Sequence, residues 1–406
     1  MKLNTIKKNT QKIINDPLHG FIVIPTELIF KLIEHPIFQR LRGISQTGLS
    51  YLVYPGAHHT RFHHSLGCIH LMQKALDTLS QKGIEITEEE YEAACIAILL
   101  HDVGHGPFSH ALEHSIINVH HEAISLYLLE QLNIEFEGKL TLAIQIFTAN
   151  YTKKFLTQLI SSQLDVDRLD YLMRDSFYSG VAEGKISIDR LISMMTVVND
   201  EIVIEAKGIY SVENFIIARL FMYWQVYLHK TSVGAELLLT NILQRAKELI
   251  QKGENLWATP ELLFFLKNTI TEKDLNPTVM QQFLLLSDTD IQIAIKQWMK
   301  SDDKMLAELS NMLVNRNLYK VKVFKKLADK EKIGEKLAID KDILENDYWS
   351  QIIPVQNLAY NIEKPIHLLM KNGQIKPLHK ISKELDFKTL SKPVEKYYFC
   401  YKRKVD

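Results

Sequence analysis

The sequence predicts a mostly α protein, with a helical core over residues 1–250 and a smaller helical plus β lobe over residues 251–406. Three observations lead there. Apolar residues recur at i, i+3 and i+4 through most of the first 250 positions. The 406 residues are 46% hydrophobic and 24% charged, enough apolar mass for two or three cores and too much for a disordered or fibrous chain. After Gly253 the composition shifts, and Asn372-Gly373 between IHLLMK and QIKPL is the strongest short hairpin signal present.

In chain order, Leu28, Leu32, Ile33, Pro36 and Phe38 fall at roughly helical spacing within 26–46, and the segment from Gly48 to Gly56 reads as a turn or short strand. Helical periodicity then predicts helices over 64–82, 88–103, 108–132, 138–150, 152–162, 164–178 and 187–198, separated by Gly, Asn or Ser breaks. EIVIEAKGIYS (201–211) alternates as a small hairpin, and 211–252 continues as one or two long helices. Four further helices are expected at 259–270, 276–285, 288–300 and 303–315. The Lys-rich stretch 320–341 mixes in acids, the pattern of a solvated face.

Lys+Arg and Asp+Glu tie at 48 each, so the basic excess that phosphate-backbone binding requires is missing and nucleic acid is not expected as the main partner. Cys68, Cys95 and Cys400 form no CxxC, which fits a reducing cytoplasm. The first 17 residues lack an apolar leader core, and no uncharged stretch suits a membrane span. Histidine is unusually placed: 11 of 16 lie between His58 and His121.

Within that cluster, AACIAILLHDVGHGPFSHALEH reads as an apolar helix that delivers His101-Asp102 at its end, breaks at Gly104 and Gly106, and restarts with Pro107 in a first turn. Alone, such a pair is as commonly a buried histidine bonded to its neighbour. Its company changes that reading: His64 opens another helix in TRFHHSLG, and Asp167, Tyr171, Arg174 and Asp175 share one stripe of QLDVDRLDYLMRD. Two imidazoles and two carboxylates suit a divalent ion such as Mn, Fe, Ni or Zn, or Mg more weakly. A cation that polarises a phosphoryl oxygen and acidifies its bound water points to hydrolysis of a phosphate ester or anhydride.

His64, His101-Asp102 and Asp167 reproduce the H…HD…D signature of the HD-domain metal phosphohydrolases, which this chain resembles. NDPLHG (15–20), HPIFQRLR (35–42), YPGAHHTRFHHSLG (54–67), LLHDVGHGPFSH (99–110), LDVDRLDYLMRD (164–175) and YLHK (227–230) resemble the dNTP triphosphohydrolase, dGTPase-like branch, without the sterile alpha motif that some members carry. The resemblance covers the catalytic portion and the C-terminal lobe. It implies an HD-type helical core, metal ligation by His64, His101, Asp102 and Asp167, and water attack at the α-phosphorus that releases deoxynucleoside and inorganic triphosphate.

The same resemblance assigns the surrounding residues. Arg61, Arg168, Arg219 and Lys230 are implied on the phosphates, with Arg168 standing where the family has lysine. His105 and His110 flank the Gly106-Pro107 break as acid or phosphate contacts; His121 is the implied proton donor to the leaving 5′-oxygen, with Glu113 orienting it. Tyr171 and Tyr227 are implied against C2′, and Gln46 and Asp175 on the 3′-hydroxyl. Leu228 replaces a family glutamine near the base, which leaves base preference open. His58, His59, His63, His114 and His120 read as solvent-facing or capping.

An activating nucleotide, GTP or a dNTP, bound between subunits of a dimer or tetramer is also implied, with Lys12, Gln39 and Arg42 from the N-terminal motifs, Arg316 and Lys320 from the lobe, and Glu34 where the family has a guanine-reading aspartate. The competing readings are another HD phosphohydrolase activity (a nucleotidase or phosphodiesterase) and a non-catalytic nucleotide sensor or single-stranded nucleic-acid binder. The four cations argue against the first, and the neutral net charge against the second.

Overall fold

The computed structural model describes residues 12–403 apart from 114 and 328, and the side chains of 109 and 110 also lie outside the described residues. It is mostly α, as expected. An N-terminal hairpin pairs β1 (Lys12–Asp16) with β2 (Gly20–Ile24). It feeds α1 (Glu27–Glu34), whose first turn is capped by the Thr26 hydroxyl accepting from the Ile29 amide. Segment 26–46 ends as two short helical turns, and Gly48–Leu52 is a 3₁₀ turn.

The centre of the molecule is α2 (Arg61–Gln81), packed against α3 (Glu88–Leu99) and, on another face, α5 (Val166–Ser179). The start of α2 is fixed by the Thr60 amide donating to His63 Nδ1 at 3.2 Å. A reciprocal Thr87–Glu90 pair fixes the start of α3, the Glu90 carboxylate accepting from the Thr87 amide and the Thr87 hydroxyl from the Glu90 amide. Asp165 caps α5 by accepting from the Arg168 amide, and Gly180, at φ 75°, ends it.

The helix expected over 108–132 divides into Ser109–Glu113 and α4 (His121–Glu135). Between them the β-branched Ile116, Ile117 and Val119 are buried, and Ile117–Asn118 pairs in parallel with Ile270–Thr271. A second correction concerns 187–211. The helix stops at Met194, and the hairpin is formed by β3 (Met195–Val198) and β4 (Glu201–Glu205) around Asn199 and Asp200, both at positive φ (53° and 63°). Two consecutive left-handed residues of this type make the tight turn that joins twisted strands.

The second half opens with α6 (Ile209–Met222), runs through a π-helical turn (Tyr223–Tyr227) and continues as α7 (Lys230–Gln251). Helices Pro260–Lys267, Pro277–Leu285, Asp288–Trp298 and Lys304–Val314 follow close to their expected positions. The remaining strands are β5 (Lys320–Phe324), β6 (Ser350–Asn357), β7 (His367–Leu369), β8 (Ile375–Pro377) and β9 (Val394–Tyr401).

β9 lies between β5 and β6 in an antiparallel sheet, while β7 and β8 form the expected hairpin across Asn372-Gly373. β7 also pairs in parallel with β4, Ile204 opposite Leu368, which completes the order β8-β7-β4-β3. Among the described residues the main apolar core runs from Ile22 to Cys400, and a small second cluster gathers Ile333, Phe399 and Tyr401. Among the described residues no helix is long and apolar enough to cross a membrane.

Candidate active site

Three helical segments bring the H…HD…D residues together. His64 sits in the first turn of α2, His101 and Asp102 in the turn just beyond α3, and Asp167 in the first turn of α5. His64 Nε2 is 3.0 Å from Asp167 Oδ1 and 4.0 Å from Asp102 Oδ2; His101 Nε2 is 3.3 Å from Asp102 Oδ1 and 3.6 Å from Asp167 Oδ1.

The outer nitrogens of both imidazoles are engaged. His101 Nδ1 contacts the Ile98 carbonyl at 2.6 Å, and His64 Nδ1 contacts Asp170 Oδ2 at 2.8 Å. Each ring therefore turns Nε2 inward, and His101 Nε2 is buried with no hydrogen-bond partner among the described residues. An orphaned imidazole nitrogen beside carboxylates fits a divalent cation, and His64, His101 and Asp167, with the Cys68 thiol beside them, form a cluster of ligand atoms compact enough to hold one. Against the cost of burial, His101 and His64 close beside it hold Asp167 well below the usual carboxylate range, and His101 and Arg61 do the same for Asp102. Both are anionic at neutral pH, as ligation requires.

Behind these converging residues lies a buried ionic network that sequence reasoning missed. Asp170 takes His64 on one oxygen and His19 Nε2, at 2.6 Å, on the other; it also receives Arg174 Nε at 2.8 Å, while Arg174 Nη1 reaches Asp16 at 2.8 Å. Asp16 and His19 belong to the NDPLHG motif, so its presence in the sequence was the available signal. Gly67 permits the arrangement, because a Cβ there would collide with the Asp170 carboxylate and the Arg174 guanidinium.

The turn after α3 is clamped by α4. Ser125 Oγ donates to the His101 carbonyl and accepts from the Gly104 amide, both at 2.9 Å, and a Cβ on Gly104 would run into the His121 carbonyl and the Ser125 backbone. This close docking places the His121 ring parallel to that of His105, centroids 3.9 Å apart. His121 Nδ1 is 3.0 Å from Glu113 Oε1, the pairing expected from the sequence. His105 Nε2 is 3.3 Å from Asp102 Oδ1; burial and then the Arg61 guanidinium push its pKa down to about 3, so its ring is neutral here. The His110 backbone lies in the helix Ser109–Glu113, but its side chain lies outside the described residues, as does His114.

All of this opens on a cavity of about 1300 Å³ lined by Gln46, Arg61, the ligands, His105, His121, Arg168, Tyr171, Asp175 and Tyr227. Arg61 contacts Asp102 at 2.5 Å, and Arg168 pairs with Asp165. Asp175 is gripped from two sides, by the Tyr227 hydroxyl and by His59 Nε2, both at 2.6 Å. His59 thus corrects the expectation of a solvent-facing or capping residue: it is 2% exposed and stacks on Tyr178. His63 and His120 do cap, while His58 stacks at the surface on Tyr51.

Two of the four expected phosphate cations are not in the cavity lining. Arg219 donates to the Leu358 carbonyl and Lys230 is exposed at the start of α7; neither lines the cavity. Lys364, from the segment between β6 and β7, lines it instead and was not anticipated.

The residues expected at a regulatory site fall in two groups. Lys12 lies over the Phe30 ring, Gln39 accepts from Arg42, Arg42 covers Phe62, and Glu34 is exposed at the end of α1. In the other group, Arg316 donates to the Leu52 carbonyl, and Lys320 lines a separate cavity of about 410 Å³ with Lys402 and Arg403.

Comparison with known proteins agrees with this geometry. The HD domain family matches residues 61–175, and the HD associated region matches residues 186–258. The uncharacterized protein YwfO of Bacillus subtilis is 33% identical over 93% of this chain and 89% of its own length. The deoxynucleoside triphosphate triphosphohydrolase SAMHD1 homolog of Dictyostelium discoideum is 30% identical over 87% of this chain and 68% of its own. Among solved structures, a phosphohydrolase from Bacteroides thetaiotaomicron superposes with a TM-score of 0.91 at 48% identity, covering 97% of this chain and all of that one.

Proposed function

Because the chain belongs to the HD-domain phosphohydrolase superfamily, on the branch related to the deoxynucleoside triphosphate triphosphohydrolases, we propose that it cleaves dNTPs into deoxynucleoside and inorganic triphosphate. The observation that carries this reading is the union, in one cavity, of the inward-facing His64, His101, Asp102 and Asp167 with the cations Arg61 and Arg168 and the aromatic pair Tyr171 and Tyr227. A divalent cation held by His64, His101, Asp102 and Asp167 would supply Lewis acidity, polarising a phosphoryl oxygen and lowering the pKa of water.

The chain's own residues do the rest. Arg61 and Arg168 neutralise the phosphates, with Lys364 as a third cation at the rim. Water adds to the α-phosphorus as the bond to O5′ breaks, and His121 gives its proton to that oxygen. Glu113 holds His121 by Nδ1 and so turns Nε2–H, which carries the donated proton, toward the cavity. His105, packed flat against His121, holds the ring in place. Asp175, held rigid by His59 and Tyr227, and Gln46 take the 3′-hydroxyl. Tyr171 and Tyr227 cover C2′, where a ribose hydroxyl would lose water without gaining a partner.

An activating GTP or dNTP held between copies of a dimer or tetramer belongs to the same reading. Ile13 (56% exposed) and Phe21 (71% exposed) on the N-terminal hairpin support association, since they offer apolar surface beside Lys12.

The test is to incubate metal-reconstituted protein with each dNTP, with and without GTP, and to separate the products by chromatography. Triphosphate plus nucleoside is expected, and it should vanish in His101→Ala/Asp102→Ala. Pyrophosphate plus nucleotide, or activity surviving in the double variant, overturns the assignment.

A further inference from the structure

Part of the cavity wall carries polar groups that the hydrolytic machinery leaves unused. Glu236 lines the cavity from α7, one turn after Val233, which lines it too. Among the described residues its carboxyl has no hydrogen-bond or ion-pair partner, and burial alone pushes its pKa up to about 7. The carboxyl lies against Gly48, where a Cβ would sit 3.5 Å from Oε1. Glu236 itself is half-buried, its carboxyl facing the cavity; beside Gly48, Thr47 Oγ1 and Gln46 Oε1 are buried without partners among the described residues, and both residues line the cavity. Leu49, Leu228 and Val355 supply apolar surface to the same lining.

Buried polar groups without partners are costly unless a ligand satisfies them. Gln46 serves the sugar in the reading above, so its neighbours Thr47 and Gly48, with Glu236 against them, border the base. A carboxylate only accepts, and it does so with two oxygens side by side. Guanine is the nucleobase whose pairing edge offers two adjacent N–H donors, on N1 and on the 2-amino group, next to the O6 acceptor. We propose that Glu236 reads those two donors while the Thr47 hydroxyl donates to O6, so that the cleft discriminates in favour of guanine. Adenine and cytosine each set a ring nitrogen lone pair beside their single amino group, which places an acceptor against the carboxylate. This inference rests on the cleft being a deoxynucleotide site, but not on the bond that is broken there.

The test uses α,β-imido analogues of dGTP, dITP and dATP, which resist turnover, titrated calorimetrically into metal-loaded wild type, Glu236→Gln and Glu236→Leu. The wild type should bind the dGTP analogue about tenfold or more tighter than the dATP analogue, with dITP, which lacks the 2-amino group, between them. The ratio should collapse toward one in Glu236→Gln, whose amide replaces one acceptor by a donor. Equal affinities in the wild type, or a guanine preference that survives both substitutions, overturn the proposal. If no dNTP is hydrolysed but the preference holds, the reaction assignment fails and the base assignment stands. If all dNTPs are cleaved and the analogues bind equally, the base assignment alone falls. Binding of none of the analogues overturns both.

Discussion

Asp170, itself fully buried, accepts from His64, from His19 and from both Nε and Nη2 of Arg174. A ligand histidine held this firmly presents Nε2 at a fixed angle, and loss of such a support typically costs 10–100-fold in metal affinity. Asp170→Asn should therefore lower bound Mn or Fe after dialysis by about that factor. Metal content equal to wild type, in protein with a normal melting curve, would refute the role. Asp170 was not read from the sequence because its value comes from α2 crossing α5; LDVDRLDYL offers three aspartates, and local pattern does not rank them. His19 was hidden for a related reason, since its partner lies 151 residues away. His59 precedes the helix that begins at Arg61, so helical periodicity assigned it no face, and only the tertiary contact with Asp175 buries it.

At the level of elements, the α2–α5 contact depends on a missing side chain. Gly67→Ala would push a methyl into Asp170 and Arg174, and overpacking of this kind costs about 1–3 kcal/mol; urea denaturation should report that loss together with weaker metal retention. The start of α3 makes a separate claim about pH. Glu90 is 3% exposed, and against the cost of burial Lys153, Tyr151 and the Thr87 amide lower its pKa. A carboxyl with a depressed folded pKa contributes stability above its unfolded value of about 4.3, and that contribution disappears as pH falls through the folded value. Glu90→Gln should cost about 1 kcal/mol at pH 7, and the gap from wild type should close below about pH 4. A constant gap down to pH 3 would be the contrary result. Helices with clean caps, such as α3 and α5, were legible to within a few residues. The two misread stretches, 108–132 and 187–211, both contain β-branched runs, Ile116 to Val119 and Thr196 to Val198, where extended backbone competes with helical spacing.

For the molecule as a whole, a cation bound by α2, the turn after α3 and α5 joins segments that span about a hundred residues of sequence, from His64 to Asp167. A ligand that binds only the folded form stabilises it by mass action, about 2.7 kcal/mol at a hundred times its Kd. Chelation should lower the melting temperature by roughly 3 °C, reversed by added Mn, and His101→Ala/Asp102→Ala should not respond. The α-rich class was legible because it rests on local spacing, and the convergence of His64, His101, Asp102 and Asp167 because these residues match the family's H…HD…D signature. The way the second half closes on the first was not. β7 reaches back to lie beside β4, Gln163 donates to the Asn361 carbonyl at 2.7 Å, and Val355 and Lys364 complete the cavity wall. A polypeptide emerging from the ribosome thus carries all four converging residues, His64, His101, Asp102 and Asp167, long before it owns a finished pocket. A chain cut short before Val355 would accordingly keep those four residues while leaving that side of the cavity unwalled.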